Sequence, residues 1–468
     1  LSIVHCGVVP HPPVAVPEVG KREADKVSDT RQALLELGRR IKDSGAGVLV
    51  MISPHSPVFA DAIVINMAEK LRGDLAAFGA PGVTFECDND SRLANEIIAQ
   101  CEKLNLVSAA LDERLAGEFN VQLSLDHGIT VPLYFLRQAG LELPLVVSSM
   151  SMFSFEQLYR FGIAVARASE TLHRRVALLA SGDLSHRLTP GAPAGYEPEA
   201  FKFDEEIVRL VGSADALSLI NLDPDMVEKA GECGLRPIIM MMGALDGKSV
   251  QPEVLSYQAP FGVGYMVASL QPGGDDDGRL LLQPMEKNRR EKLKARREKE
   301  SFLVKLARET LENYVLGKPK PEIKSEEIPP EFKRRAAVFV SIKKNGQLRG
   351  CIGSVYPQQE DLVQEVMHNA INAGIHDPRF YPVRPEELDE LTYSVDVLTE
   401  PEPVSGLEQL DPKKYGVIVR KGNKSGLLLP DLEGIDTARE QVDIAKEKAG
   451  IGRHEDAALE RFEVVRYK

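Results

Sequence analysis

Val48-Leu49-Val50-Met51-Ile52-Ser53-Pro54-His55-Ser56-Pro57 decides how the first half of this chain folds. The apolar run 48–52, bounded by Gly47 and Pro54, predicts a strand covered on both faces, which is the habit of parallel sheets. In open α/β sheets ligands meet the chain just beyond the carboxyl ends of such strands, and His55 stands at that place. Pro54 and Pro57 fix φ and remove backbone donors, so the loop is stiff and the imidazole is held in one direction. A single histidine after a strand is equally explained by a structural hydrogen bond, so its neighbours have to decide its role.

Working outward, Ser2-Ile3-Val4-His5-Cys6-Gly7-Val8-Val9 predicts a first strand that Pro10-His11-Pro12-Pro13 terminates. Ser28-Asp29 offers an N-cap for a helix carrying Leu34, Leu35, Leu37 and Ile41. Strand, helix, strand predicts two parallel neighbours with His11 and His55 on one edge. A helix over 91–104 follows, then Leu125-Asp126-His127-Gly128-Ile129-Thr130-Val131-Pro132-Leu133, a third histidine in a turn-forming context. Strands at Leu145–Ser148 and Val176–Ser181 come next, the second running into Gly182-Asp183-Leu184-Ser185-His186-Arg187. Gly231-Glu232-Cys233-Gly234-Leu235-Arg236-Pro237 leads into Ile238-Ile239-Met240-Met241-Met242, a buried helix entered through Pro237 whose methionines fill core.

A strand near 261–270 closes this first domain, and Gln271–Gly278 reads as a turn-rich acidic break. Between Glu286 and Glu300 basic residues outnumber acidic ones, the pattern of a solvated linker helix. The division expected is therefore a domain over 1–270, a linker over 271–292 and a second domain over 293–468. A chain of 468 residues suits two or three domains, and 43% hydrophobic with 27% charged residues is ordinary for a globular protein. A formal charge of −13 argues against general nucleic-acid binding. No signal-peptide pattern and no long apolar run is present, so a cytoplasmic protein without a membrane span is expected. Cys6, Cys87, Cys101, Cys233 and Cys351 are dispersed without CxxC spacing, which fits a reducing compartment.

Four loops at predicted strand ends thus carry His11, His55, His127 and His186, and Glu232-Cys233 adds a carboxylate beside a thiol. Two imidazoles and one anionic ligand with open coordination positions hold ferrous iron in many enzymes, and the same donors suit zinc. Pro10-His11-Pro12-Pro13, Ser53-Pro54-His55-Ser56-Pro57, Leu125-Asp126-His127-Gly128 and Gly182-Asp183-Leu184-Ser185-His186, in that order, resemble the class III extradiol dioxygenases of the LigB type and the related Memo proteins over about residues 1–270. The resemblance implies an α/β domain with a central sheet and helices on both faces. It implies His11 and His55 as metal ligands for Fe(II) or zinc, His186 as general acid/base, His127 as a substrate-side group and Asp183 as the residue orienting the His186 loop. The third ligand stays open between Cys233, which Cys233-Gly234-Leu235-Arg236-Pro237 favours by its likeness to Memo, and Glu232.

In the second half, Ala336–Ile342 and Tyr393–Leu398 predict strands, Val417–Arg420 and Ser425–Leu429 a hairpin, and 438–449 a helix, giving an α+β domain. Gln347-Leu348-Arg349-Gly350-Cys351-Ile352-Gly353-Ser354 joins a strand to a glycine-kinked turn, with His376-Asp377-Pro378-Arg379-Phe380 beyond it. Arg349 has the chemistry to bind an anion or pair with an acid, and Cys351 that of a nucleophile or a structural thiol. The Leu-Arg-Gly-Cys-Ile-Gly run resembles the AMMECR family over about 293–468, which makes Arg349, Cys351 and His376 candidates around its groove. A Memo-like half fused to an AMMECR half resembles two components of the AmmeMemoRadiSam system. That implies a radical-SAM protein as partner beside a small-molecule or modified substrate, since this chain lacks a CxxxCxxC cluster motif.

Overall fold

The computed structural model describes residues 2–344, 347–432 and 434–468, and the chain divides into one unit of Leu1–Asn288 and another of Arg289–Lys468. Among its described residues the first unit has ten strands: β1 (Ile3–Val9), β2 (Val48–Ser53), β3 (Ile63–Asn66), β4 (Lys70–Leu75), β5 (Ala80–Asp88), β6 (Ser108–Leu111), β7 (Leu145–Ser149), β8 (Val176–Ser181), β9 (Lys248–Gln258) and β10 (Tyr265–Asp275). Eight of them form one sheet in the order β6-β3-β7-β2-β8-β1-β10-β9, while β4 and β5 make a separate hairpin. Strands β7, β2, β8 and β1 are mutually parallel, and β10 and β9 complete that side as antiparallel strands.

Burial follows from the sequence pattern. Every residue of β1, β2, β7 and β8 is buried, because both faces of the sheet are covered. On one face Val48, Val50 and Ile52 pack with helices α2 (Ser91–Lys103), α4 (Phe155–Thr171) and α6 (Leu235–Gly243). On the other, Leu49 and Met51 pack with α1 (Ser28–Asp43) and α3 (His127–Gln138). Each such side chain contributes roughly 1.5–3 kcal/mol by leaving water. Met240, Met241 and Met242 lie in this core.

In this first unit three sequence expectations need correction. The strands bearing His11 and His55 are parallel and share an edge, but β8 lies between them and pairs with both. Apolar runs encode a buried strand without encoding its partner, and sequential strands are often not neighbours. His127 does not sit in a turn; it opens α3, with Asp126 at the N-cap position. Gln271–Asp275 is not part of a linker, since β10 continues through it with Asp275 opposite Lys248. Glycine, proline and aspartate in that stretch are tolerated because β10 ends in a two-stranded ladder. The remainder of 271–292 is mostly helix α7 (Leu282–Arg297), which spans the division between the units. Among the described residues no helix is long and apolar enough to cross a membrane.

The second unit holds a sheet ordered β12 (Gln347–Gly353), β11 (Val338–Lys344), β13 (Leu391–Leu398), β17 (Ala458–Tyr467), β15 (Tyr415–Lys421) and β16 (Lys424–Leu428), with β14 (Glu402–Val404) paired to β17. Helices α8 (Phe302–Val315) and α9 (Leu362–Ile371) cover β11 and β13, while α10 (Ala438–Lys448) covers the β15–β16 hairpin. The 347–353 stretch is therefore an edge strand throughout, not a strand running into a kinked turn. Gly350 is needed there because a Cβ would stand 2.0 Å from the Ala373 carbonyl oxygen.

Candidate metal centre

His11 leaves β1 between two prolines and is 2% exposed, while His55 leaves β2 and is exposed at the mouth of the site. Their Nε2 atoms are 3.0 Å apart, and Cys233 Sγ lies 3.7 Å from His11 Nε2. One donor atom from each of His11, His55 and Cys233 falls within 4.8 Å of the others. Cys233 arrives from the turn before α6, where the chain crosses the β8 loop so closely that a Cβ on Gly182 would stand 2.2 Å from Gly234 Cα. The Asp183 N–H donates to Cys233 Sγ at 3.3 Å.

The support of His11 settles which of its ring nitrogens carries the proton. Ser181 Oγ donates its proton to the Gly128 carbonyl and therefore accepts from His11 Nδ1, 2.9 Å away. That leaves the His11 Nε2 lone pair directed at the centre, the arrangement that metal-binding histidines require. Ser53 Oγ accepts the His55 N–H at 3.1 Å and donates to Asp126 Oδ1 at 2.7 Å, and Ser56 Oγ donates to Asp126 Oδ2 at 2.7 Å. Asp126 thus braces the His55 loop from the start of α3. Gly128 is required beside it, since a Cβ would stand 2.5 Å from Ser53 Oγ.

His127 stacks on His55 with ring centroids 4.2 Å apart, and His186 Nε2 lies 3.8 Å from Cys233 Sγ. Burial lowers the pKa of all four imidazoles, and for His11 the neighbouring His55, His127 and His186 lower it further, well below the usual value. Neutral imidazole is the ligating form. Burial, then the nearby Asp183, holds the Cys233 thiol well above its ordinary pKa, so its proton leaves when a cation takes its place. Two neutral imidazoles, that of His11 with its tautomer fixed by Ser181, and a thiol directed at one point fit a transition metal.

Glu232 lies apart from this set. Its Oε2 accepts the Leu235 N–H at 2.6 Å, so it caps α6, and burial pushes its carboxyl up to about 7. Asp183, pushed up by burial to about 7, accepts the His11 N–H at 2.9 Å and so orients the His11 loop. The His186 loop is held instead by Asp204 of helix α5 (Ala200–Gly212), whose Oδ1 accepts the Ser185 N–H at 2.8 Å and whose Oδ2 accepts the Tyr257 hydroxyl at 2.6 Å. Sequence reading passed over Ser181, Asp126 and Asp204. Asp126 lies inside a quoted motif and Ser181 ends a quoted strand, whereas nothing local marks Asp204.

In the second unit Arg349 is paired in a fork to Glu387, with both bonds 3.0 Å. The Cys351 N–H donates to Asp377 Oδ2 at 2.9 Å and its carbonyl accepts from Arg379 Nη2 at 3.0 Å. Burial raises the Cys351 thiol pKa, and Sγ accepts the Ser341 hydroxyl at 3.1 Å. His376 is exposed.

A family model described as the catalytic LigB subunit of aromatic ring-opening dioxygenase matches residues 5–268, and one described as AMMECR1 matches residues 304–468. Protein CA_C1420 of Clostridium acetobutylicum is 39% identical over 464 residues, covering 98% of each chain. A Thermotoga maritima protein is 53% identical over 170 residues, 35% of this chain and 96% of its own. Among solved structures, the uncharacterized protein PH0010 of Pyrococcus horikoshii is 35% identical with a TM-score of 0.33, covering 35% of this chain and 88% of its own. The uncharacterized protein JW3007 of Escherichia coli K12 is 14% identical with a TM-score of 0.40, covering 57% of this chain and 99% of its own. TM-scores this low leave both structural likenesses without weight.

Proposed function

This chain belongs to the LigB family of aromatic ring-opening dioxygenase subunits and carries an AMMECR1 domain fused behind it, and we propose that its first unit is an iron(II)-dependent oxidoreductase of the extradiol type. His11, His55 and Cys233 hold the metal. The convergence of these three donors within 4.8 Å is the observation that carries the reading. A ferrous ion bound there supplies Lewis acidity and one-electron chemistry to a small-molecule substrate. His186, neutral and 3.8 Å from Cys233 Sγ, takes or returns a proton on that substrate at Nε2. His127 keeps the exposed His55 ring in place by stacking on it and excludes water from that side.

The test is anaerobic loading with Fe(II), metal analysis, and EPR after exposure to nitric oxide, with His11→Ala and His55→Ala alongside. The expected result is about one iron per chain with a high-spin nitrosyl signal, and binding weaker by about 100-fold or more in each variant. Full metal retention in both variants would sink the proposal.

Cys233 favours a second reading. A thiolate where a carboxylate would serve is open to oxidation, which suits a protein that binds metal, iron or zinc, without activating oxygen and works beside a radical-SAM enzyme. Bound metal with no nitrosyl signal, together with a radical-SAM protein enriched on this chain from native extract, is the outcome that prefers it.

A further inference from the structure

The β4–β5 hairpin belongs to neither large sheet, yet it is fastened to α3 at both ends. Near the start of α3 the Leu125 N–H donates to the Arg72 carbonyl at 2.7 Å. Gly73 lies so close there that a Cβ would stand 2.7 Å from Leu125 Cβ. Towards the end of α3 Arg137 lies over the Phe85 ring, 5.0 Å from its centroid, and donates to the Glu86 carbonyl at 2.7 Å. Leu71, Leu75 and Phe85 of the hairpin share one buried cluster with Ile129, Leu133 and Leu136 of the helix. Hairpin and helix are thereby one packed body, and that helix begins at His127.

The tip is equally determined. Asp74 Oδ1 accepts the Ala76 N–H at 2.8 Å, and Gly79 takes a left-handed φ of 83° that closes the single turn Ala76–Phe78. This turn presents Phe78, 39% exposed, with its ring centroid 5.3 Å from that of His127. His127 in turn stacks on His55, whose Nε2 is 3.0 Å from that of His11. Phe78, His127 and His55 form a continuous run of rings ending at the metal position.

We infer that Phe78 is a specificity-determining residue, packing its ring against a planar apolar part of the substrate whose donor atoms reach the His11–His55–Cys233 centre. The inference rests on the metal-site reading above. A ring held at a braced tip pays little conformational entropy on binding, so its contact goes into selecting flat ligands over compact ones.

The test compares two probes on the iron-loaded full chain by anaerobic calorimetry: 4-nitrocatechol, which brings a ring with its donor atoms, and acetohydroxamate, which brings donor atoms without one. Phe78→Ala is expected to weaken 4-nitrocatechol about fivefold, with iron content and acetohydroxamate binding unchanged and Phe78→Tyr restoring the loss. Equal 4-nitrocatechol affinity in Phe78→Ala, or a parallel loss for both probes, overturns the role of Phe78 while leaving the metal site standing. Failure of the iron-loaded parent chain to bind either probe overturns the substrate-site reading and this inference with it.

Discussion

Each unit centres its most distinctive motif on a cysteine, and the two surroundings are opposite. Cys233 lies among neutral imidazoles, its Sγ 3.7 Å from His11 Nε2 and 3.8 Å from His186 Nε2, with His55 Nε2 3.0 Å from that of His11, so the site gathers donor atoms that face one another. Cys351 lies among charged groups already consumed in pairs: Arg349 on Glu387, Arg379 on Asp377, Arg466 on Asp396. Asp377 and Arg379 also take the Cys351 N–H and carbonyl, which edge strand β12 would otherwise leave open. The first cysteine therefore faces donor atoms left open towards one point, while the second sits in a closed set of ion pairs along a strand edge.

The comparison breaks most sharply on metal content. Cys233→Ser is expected to weaken Fe(II) binding by roughly 100-fold, whereas Cys351→Ser leaves it within about twofold, as measured by anaerobic metal titration. Equal effects of the two changes would erase the distinction.

A smaller effect separates the units by pH. Burial raises the Asp204 carboxyl to about 6, so its contribution to stability is full below the ordinary carboxylate pKa and is lost as pH rises through 6. The bond from Arg379 lowers Asp377 to about 2, so its contribution is present above the ordinary pKa and is lost as pH falls through 2. Hydrogen exchange on metal-free protein should show the 184–188 segment weakening between pH 5 and 7 by on the order of 1–3 kcal/mol, a slope that Asp204→Asn removes. The Cys351 amide should hold through that range and weaken only in acid. Matching slopes in both units would contradict the assignment.

The smallest expected effect sharpens the structural reading of the second motif. Asp377→Ala takes the acceptor from the Cys351 N–H, at a cost of about 1 kcal/mol, seen as faster exchange along β12 with metal binding unaltered. Unchanged exchange would mean that the Asp377 clamp does not guard the edge.

Much of this was legible in the chain. The runs 2–9, 48–52, 145–148 and 176–181 read as buried strands because burial on both faces leaves an unbroken apolar stretch, and proline punctuation places His11 and His55 beyond the first two. The β4–β5 hairpin went unread, because its alternating polar residues form a two-stranded ribbon whose apolar side is defined only by α3. Asp204 went unread because a carboxylate in a helix pattern looks solvated until its partners Ser185 and Tyr257 are known.

By itself the sequence determined the buried strands, the histidines at their carboxyl ends and the two-part organisation, all of which rest on local periodicity, chain stiffness and motif order. Only the tertiary structure decided that β8 separates β1 from β2, that Cys233 faces the imidazoles while Glu232 caps α6, and that Phe78 reaches His127. Those outcomes depend on contacts between residues far apart in the chain, such as the close backbone crossing of Gly182 against Gly234 that sets Cys233 beside the loop after β8.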